Sequence, residues 1–484
     1  MKSLALLFNK HGNPQNVLQM TQLSISNSSN PPSKHSILVK YLASPLNPSD
    51  LNQISGTYPN QPRDGLLPAV GGNEGIAEVI DVASQDQVCS VVGGSRIRPG
   101  DLVIPLKPHG QTSIQTQGLE SLNVQSLQST VNISGVQANM DGTWRQYAWL
   151  NPMDHAIIRL NDWATKDQLN SIPLELLATL KVNQSTAYQL LQPIRRKAKS
   201  STSGTSFLNS SDTASSPSAC APSSPNPSSS CAPWLIQNAA TSAVGQLIIQ
   251  LCHAWNIPNI AVIRDRSKAT TSQSNCILSN QTTKDHLMSL GATVVLTEDE
   301  LSALLADNKS LSKEGLNIPS LLSSHLNQSD IKTSSSSTLL VGLNAVSGSS
   351  AALLAKALSP SGQLITYGGM SKRPLTIATS DLIFRDIQCH GFWLTNWYNQ
   401  AIRQFNTTRG INPIAEMYSE LIGMMLDGRL KKSNRTRMVD FGDEKAVKQA
   451  IGYVCSEEII GSIRGIEETS ATRTRLRFSP NGLQ

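Results

Sequence analysis

Tyr58 lies in Leu51-Asn52-Gln53-Ile54-Ser55-Gly56-Thr57-Tyr58-Pro59, a phenol set among turn-forming residues. A phenol with a pKa of about 10 keeps its proton at neutral pH and can donate it as a general acid. A turn tyrosine packed beside Pro59 is the plain alternative. The segment Leu67-Pro68-Ala69-Val70-Gly71-Gly72-Asn73-Glu74-Gly75 follows closely and favours the chemical role. Asn183, in Lys181-Val182-Asn183-Gln184-Ser185-Thr186, offers an amide that could bridge two ligands or cap a helix.

A second group of residues has the composition of a nucleotide site. Asn238-Ala239-Ala240-Thr241-Ser242-Ala243-Val244-Gly245 follows an apolar run and opens a helical pattern. A strand, a tight turn and a helix N-terminus together attract a phosphate, because unpaired N–H groups and the helix dipole point at it. Two of the three fingerprint glycines are missing, so a generic strand-to-helix turn is the alternative. Ala and Ser are still small enough for the backbone to approach a pyrophosphate. About 20 residues on, a dinucleotide site places an acidic residue for the ribose 2′-hydroxyl. This chain has Arg264-Asp265-Arg266 there. Two guanidinium groups favour a 2′-phosphate through charge-assisted bonds, so NADPH is the expected cofactor, with an ordinary charged loop as the alternative. Tyr367-Gly368-Gly369-Met370 would lie at the carboxyl edge of the same sheet, where ligands bind. Phe392-Trp393-Leu394 and Trp397 form an aromatic group suited to core packing or to lining an acyl channel.

The elements that must position these groups fall into an α/β arrangement. A β-rich domain is expected over 1–170, with strands over Ile37–Leu42, Gly75–Val82 and from Pro99, and a polar surface insertion over 109–140. A parallel, doubly wound domain is expected over 171–372. Its strands would be Trp234–Ala239, Ile260–Ile263, Thr293–Leu296, Thr338–Leu343 and Gln363–Tyr367. Helices would cover Leu174–Leu180, Thr186–Leu191, Ala243–Trp255 and a segment ending at Leu290, with Gly291 as its stop. The Ala243–Trp255 helix would bury one stripe of Val244, Leu247, Ile248, Leu251, Cys252 and Trp255. A Ser/Pro-rich stretch, 198–232, should be a disordered loop, and 307–337 a polar insertion. Residues 373–484 return to the first domain and end in a tail.

Composition narrows the class. At 484 residues the chain can build two cores, and its 39% hydrophobic content fits cores diluted by polar insertions. Seven cysteines include no CxxC pair, so a four-cysteine zinc lobe is absent, and reduced thiols are expected. No apolar run reaches membrane-spanning length. Ser3–Phe8 is too short for a secretory core, and no Arg-rich presequence precedes it. Either the mature protein lacks a transit peptide or the sequence starts downstream of one. The net charge of +6 is thinly spread. The densest basic run, Arg429, Lys431, Lys432, Arg435 and Arg437, is a solvated face or a docking patch for an acidic partner or anionic thioester.

Taken together these segments resemble the mitochondrial 2-enoyl thioester reductases, an NADPH-dependent, zinc-free branch of the medium-chain dehydrogenase/reductase superfamily. The resemblance is carried by Asn47-Pro48-Ser49-Asp50, Gly56 to Pro59, Leu67 to Gly75, Ala178 to Asn183, Gln237-Asn238-Ala239, Val244-Gly245-Gln246, Arg264 to Arg266, Tyr367 to Met370 and Gly391 to Leu394. Zinc alcohol dehydrogenases carry Gly-His-Glu where Gly72-Asn73-Glu74 stands, so Asn73 replaces a metal-binding histidine. The resemblance implies a GroES-like catalytic domain joined to a Rossmann domain, and reduction of trans-2-enoyl-CoA or enoyl-acyl-carrier-protein thioesters. Hydride would reach the β-carbon and Tyr58 would protonate the α-carbon. NADPH would be contacted by Asn183, Ser242, Ala243, Val244, Gly245, Arg264, Asp265, Arg266, Tyr367, Gly368, Gly369, Met370, Phe392, Trp393 and Leu394. A homodimer in the mitochondrial matrix, working in fatty acid synthesis with acyl carrier protein as a partner, is also implied. Two other outcomes share the scaffold: a zinc-free NADPH quinone oxidoreductase, which has no need of Tyr58, and an NADPH-binding regulatory protein without turnover.

Overall fold

The computed structural model describes residues 1–58, 67–83, 89–90, 94–106, 130–133, 136–139, 142–202, 233–265, 279–307, 338–408, 412–433, 436–460 and 473–477. Two compact units account for them. One is built from Met1–Thr186 and Trp393–Gln484, the other from Ala187–Lys268 and Ser279–Phe392.

The first unit is β-rich. Ile37–Pro45 is its central strand and is almost continuously buried. It pairs antiparallel with Ile76–Val82, Tyr147–Leu150 and Arg473–Arg477. Successive side chains of a strand point to opposite faces, and Ile37, Leu38, Val39 and Tyr41 are buried, so both faces of this strand are covered. A second sheet carries Lys2–Phe8 between Leu18–Ser24 and Ala69–Val70. Phe8, Tyr41, Leu51, Ile54, Trp144 and Phe441 anchor the core. Trp144 is fully buried and its indole N–H donates to the Pro45 carbonyl at 3.1 Å. Gly72 lies against that ring with φ of +93°, and a Cβ there would sit 2.4 Å from the indole. The glycine pair before Asn73 is thus a packing requirement.

The second unit holds a six-stranded parallel sheet. Its spatial order is Val294–Thr297, Asn259–Ile263, Trp234–Gln237, Leu339–Asn344, Gln363–Thr366, Gln388–Gly391. Numbered along the chain, that order is 3-2-1-4-5-6, the doubly wound arrangement of dinucleotide-binding proteins. Apolar clusters cover both faces, one around Trp234, Ile260 and Leu354, the other around Ile249, Ala261 and Leu287.

Several expectations are revised. The parallel sheet has a sixth strand, Gln388–Gly391, and its unit runs to Phe392 rather than ending at 372. That strand is polar and exposed along its whole length, so no apolar run announces it. The helix Ala243–Ala254 buries every residue from Gly245 to Cys252, whereas Val244 and Trp255 are only half-buried. A helix packed on all sides shows no single stripe. Part of the stretch 109–140 is not irregular: Thr130–Ile133 and Val136–Asn139 pair antiparallel, and Val136–Asn139 continues to Ala69. Residues 198–202 are not loop, because one helix runs from Ser185 to Thr202. The rest of the Ser/Pro-rich stretch, 203–232, and residues 308–337 lie outside the described residues.

Candidate active site and dinucleotide turn

Tyr58 is positioned by the way a helix ends. Pro48–Ser55 starts with Asn47 as cap and Pro48 in its first turn, and stops at Gly56, which takes a left-handed φ of +79°. The backbone N–H groups of Thr57 and Tyr58 both donate to the Asn52 carbonyl, at 2.9 and 3.2 Å. The phenol is half-buried. Burial raises its pKa above the ordinary tyrosine value, a hydrogen bond from the Trp393 side chain lowers it, and the charge of Asp50 raises it. Tyr58 and Trp393, drawn from distant parts of the sequence, therefore meet in one unit.

Behind the phenol is a buried polar cluster that sequence reading did not single out. Asp50 Oδ1 accepts from the backbone N–H of Asn73 at 2.9 Å and from its side-chain amide at 2.6 Å. Asp50 Oδ2 accepts from the Asn47 N–H at 2.8 Å. Glu74 accepts from the Asn47 amide and from the Val182 N–H, both at 2.7 Å. The Lys181 ammonium donates to the Asn73 carbonyl. Asn183 is not a helix cap. It lies in a single π-helical turn, Leu180–Gln184, and donates to Asn47 Oδ1 at 3.2 Å. The wide turn, closed by Gln184 N–H to Thr179 O, points Lys181, the Val182 N–H and Asn183 at the same cluster. Tyr398 secures that turn by donating to the Lys181 carbonyl at 3.0 Å. Among the described residues, no group of three His, Cys, Asp or Glu side chains is placed to hold a metal ion.

The nucleotide turn stands on the second unit. Ser242 caps the helix Ala243–Ala254, its hydroxyl accepting from the Gly245 N–H at 3.0 Å. Ala239 takes a φ of +49°, the conformation a glycine would adopt more readily. Gly245 is the glycine this turn keeps, because a Cβ there would lie 2.5 Å from the Ala239 carbonyl oxygen. Helix and strand thus approach as a dinucleotide site requires, with the helix N-terminus at the carboxyl edge of the sheet. Gly245→Ala should lower stability by about 1–3 kcal/mol, the usual cost of overpacking. Thermal denaturation checks this, and an unchanged midpoint would contradict the close approach.

Tyr367, Gly368, Gly369 and Met370 follow the fifth strand. Burial raises the Tyr367 phenol, and the neighbouring Ser242 hydroxyl lowers it. Asn344, missed in sequence reading, and Asn238 of the dinucleotide turn lock this edge together. Asn238 donates to Asn344 Oδ1 at 2.8 Å and accepts from the Ala345 N–H at 2.8 Å. Phe392 closes the unit by donating its N–H to the Thr366 carbonyl, whereas Trp393 and Leu394 belong to the first unit. Arg264 is exposed at the end of Asn259–Ile263, and Arg266 lies outside the described residues. Asp265 accepts from the Asn280 amide at 2.7 Å, which commits one of its oxygens to the next helix.

The basic run near 430 is partly neutralised. Arg429 pairs with Asp427 at 2.6 Å, and Lys432 lies 3.7 Å from Glu175. Arg435 is outside the described residues.

Residues 33–162 match the alcohol dehydrogenase GroES-like domain. The rat mitochondrial enoyl-acyl-carrier-protein reductase is 33% identical over 393 residues, covering 81% of this chain and 73% of that relative. An Etr1p mutant solved with NADP and crotonyl-CoA is 25% identical, covers 99% of each chain and has a TM-score of 0.62. The Etr1p/Etr2p heterodimer of the Candida tropicalis mitochondrial 2-enoyl thioester reductase matches equally well, at 25% identity and a TM-score of 0.62, covering 99% of this chain and 100% of that one. With the parallel sheet, the GroES-like unit and relatives of this identity and coverage in hand, the chain belongs to the mitochondrial enoyl-acyl-carrier-protein reductases of the medium-chain dehydrogenase/reductase superfamily.

Proposed function

We propose that the chain reduces the carbon–carbon double bond of trans-2-enoyl thioesters with NADPH, and that Tyr58 is its proton donor. The observation that carries the assignment of Tyr58 is its half-buried phenol, held by the Gly56 helix stop beside Trp393 and Asp50. NADPH supplies a hydride when bound. Its phosphates would be held by the N–H groups of Ala243 and Val244 in the turn Ser242 to Gly245, and its 2′-phosphate by Arg264 and Arg266. Saturation at the substrate's β-carbon leaves an enolate. The Tyr58 O–H bond then breaks, its proton joins the α-carbon, and the phenolate left behind is reprotonated from solvent. The raised pKa of Tyr58 keeps the donor loaded at neutral pH. Asn183, Trp393 and Leu394 would contact the cofactor as well. Tyr367 to Met370 and Phe392 would contact the cofactor from the sheet edge. The test is NADPH oxidation with crotonyl-CoA against a small quinone. Turnover of the quinone alone would defeat the proposal.

The carrier in the cell would be coenzyme A or acyl carrier protein, and the site of action the mitochondrial matrix. The protein would work as a homodimer through the Gln388–Gly391 edge. Among the described residues that strand pairs on one side only, and it is exposed throughout. Phe384 beside it is 83% exposed and Ile383 65%. An open edge next to an apolar patch of this kind invites a second copy. Phe384→Glu should convert the dimer to a monomer in sedimentation velocity. A wild-type protein that is already monomeric at micromolar concentration would exclude this arrangement.

A further inference from the structure

The dinucleotide turn is not the only place where the parallel sheet prepares for an anion. Its fourth strand, Leu339–Asn344, runs through Ala345, Val346 and Ser347 into the helix Gly348–Ala357. Its fifth, Gln363–Thr366, runs on through Tyr367 to Arg373, and the two loops fold against each other. Met370 and Ser371 donate their N–H groups to the carbonyls of Ala345 and Val346, at 3.0 and 2.8 Å. At Gly368 the loops are so close that a Cβ would sit 3.1 Å from the Ala345 carbonyl oxygen.

The paired loops carry donors and positive charge without an acceptor to match. Asn344 Oδ1 accepts from the N–H groups of Val346 and Ser347, at 3.1 and 3.0 Å. Among the described residues no side chain caps the helix Gly348–Ala357, so its first N–H groups stay open. Ser347 holds the cap position with a φ of +70° and is only 7% exposed. Its hydroxyl has no hydrogen-bond partner among the described residues. That hydroxyl faces the second loop, 3.8 Å from where a Cβ on Gly369 would stand. A nearly buried hydroxyl left unpaired is costly, and an acceptor on a ligand would remove the cost. Arg373 lies across the helix start, its Cβ and Cδ 3.3 and 3.6 Å from the position of a Gly348 Cβ. Lys372 precedes it and is exposed, and residues 338–380 contain no Asp or Glu. Open N–H groups, an unpaired hydroxyl and two cations together suit a phosphate.

We propose that these loops bind a phosphate of the thioester substrate: the 4′-phosphate of its pantetheine arm, which coenzyme A and acyl carrier protein share. The inference rests on the reductase reading and extends it to the far end of the substrate. The sheet order separates the loops from the cofactor's own phosphates. Along 3-2-1-4-5-6, Arg264 stands at the end of the second strand, for the 2′-phosphate, and the turn for the pyrophosphate follows the first. The loops after the fourth and fifth strands lie two to three strand spacings beyond Arg264, about 10–14 Å. NADPH has no further phosphate to offer on that side, so the anion comes with the second substrate. The Ser347 hydroxyl and the open helix N–H groups would donate to the phosphate oxygens, and Lys372 and Arg373 would balance their charge.

The test compares three thioesters on the full chain: crotonyl-CoA, crotonyl-pantetheine 4′-phosphate, and crotonyl-N-acetylcysteamine, which has no phosphate. Lys372→Gln combined with Arg373→Gln should lower kcat/KM about tenfold for the first two, and leave the third and the KM for NADPH within about twofold of wild type. The loss should shrink as salt is raised, because both cations are exposed. Ser347→Ala should lower the same two substrates about threefold, and it decides alone should the double variant fail to fold. Equal losses on all three thioesters, no loss on any, or a raised KM for NADPH would overturn the proposal. A loss confined to crotonyl-CoA would overturn it too, because the loops would then read the adenosine end. A wild type that turns over none of the three would instead refute the reductase reading itself, so the two failures are told apart.

Discussion

Tyr58→Phe should reduce kcat for crotonyl-CoA by about 10²–10⁴-fold, the usual contribution of a positioned general acid. The substitution removes one oxygen and keeps the ring, so the packing beside Trp393 and the Gly56 helix stop survive. The substitution leaves the proposed cofactor contacts in place, so the KM for NADPH should stay within about twofold. The phenol is not deeply buried, hence folding should be unaffected. Solvent deuterium should slow the wild type more than the variant, because only the wild type takes its proton from an exchangeable O–H in the site. Stopped-flow or steady-state absorbance of NADPH provides the readout. A kcat within threefold of wild type would remove Tyr58 from the reaction.

Replacing both Arg264 and Arg266 by alanine should raise the KM for NADPH on the order of 100-fold or more, since each charge-assisted hydrogen bond to the phosphate contributes about 1.5–3 kcal/mol. NADH has no 2′-phosphate, so its KM should hardly move. Arg264 is exposed at the carboxyl end of its strand, where the adenosine ribose of a dinucleotide would lie. Asp265 is partly committed to Asn280, which favours phosphate over diol recognition here. The effect should weaken as salt is raised, since exposed charges are screened. Equal losses with both cofactors would mean that the arginines support folding rather than discrimination.

The sheet of the second unit was legible because its first five strands are short apolar runs between helices, Ile260-Ala261-Val262-Ile263 being the plainest. The sixth, Gln388–Gly391, was not, since an exposed edge strand needs no apolar residue. Hydrophobic pattern reports burial, and this strand has none. Tyr58 could be singled out from its turn chemistry and its nearness to Gly71-Gly72-Asn73-Glu74. The cluster behind it was hidden for a different reason. Asp50, Glu74 and Lys181 read as ordinary polar residues on a helix, a loop and a helix start, and only the tertiary fold buries them together. One signal was available: Lys181 interrupts the apolar run Leu176-Leu177-Ala178-Thr179-Leu180, where a lysine facing solvent is out of place. The π turn itself has no local sequence signature, because its extra residue is held by Gln184 and Ser185 reaching back to Leu176 and Leu180.

The central strand of the first unit has its own temporal consequence. Ala43 to Pro45 pairs with Arg475 to Arg477, more than four hundred residues later in the chain. A ribosome must therefore deliver the chain through Arg477 before that ladder can zip, whereas the parallel sheet has all its strands by Gly391. Until then Ile37–Pro45 is a nascent strand with one unfinished border, and unfinished borders are what chaperones guard.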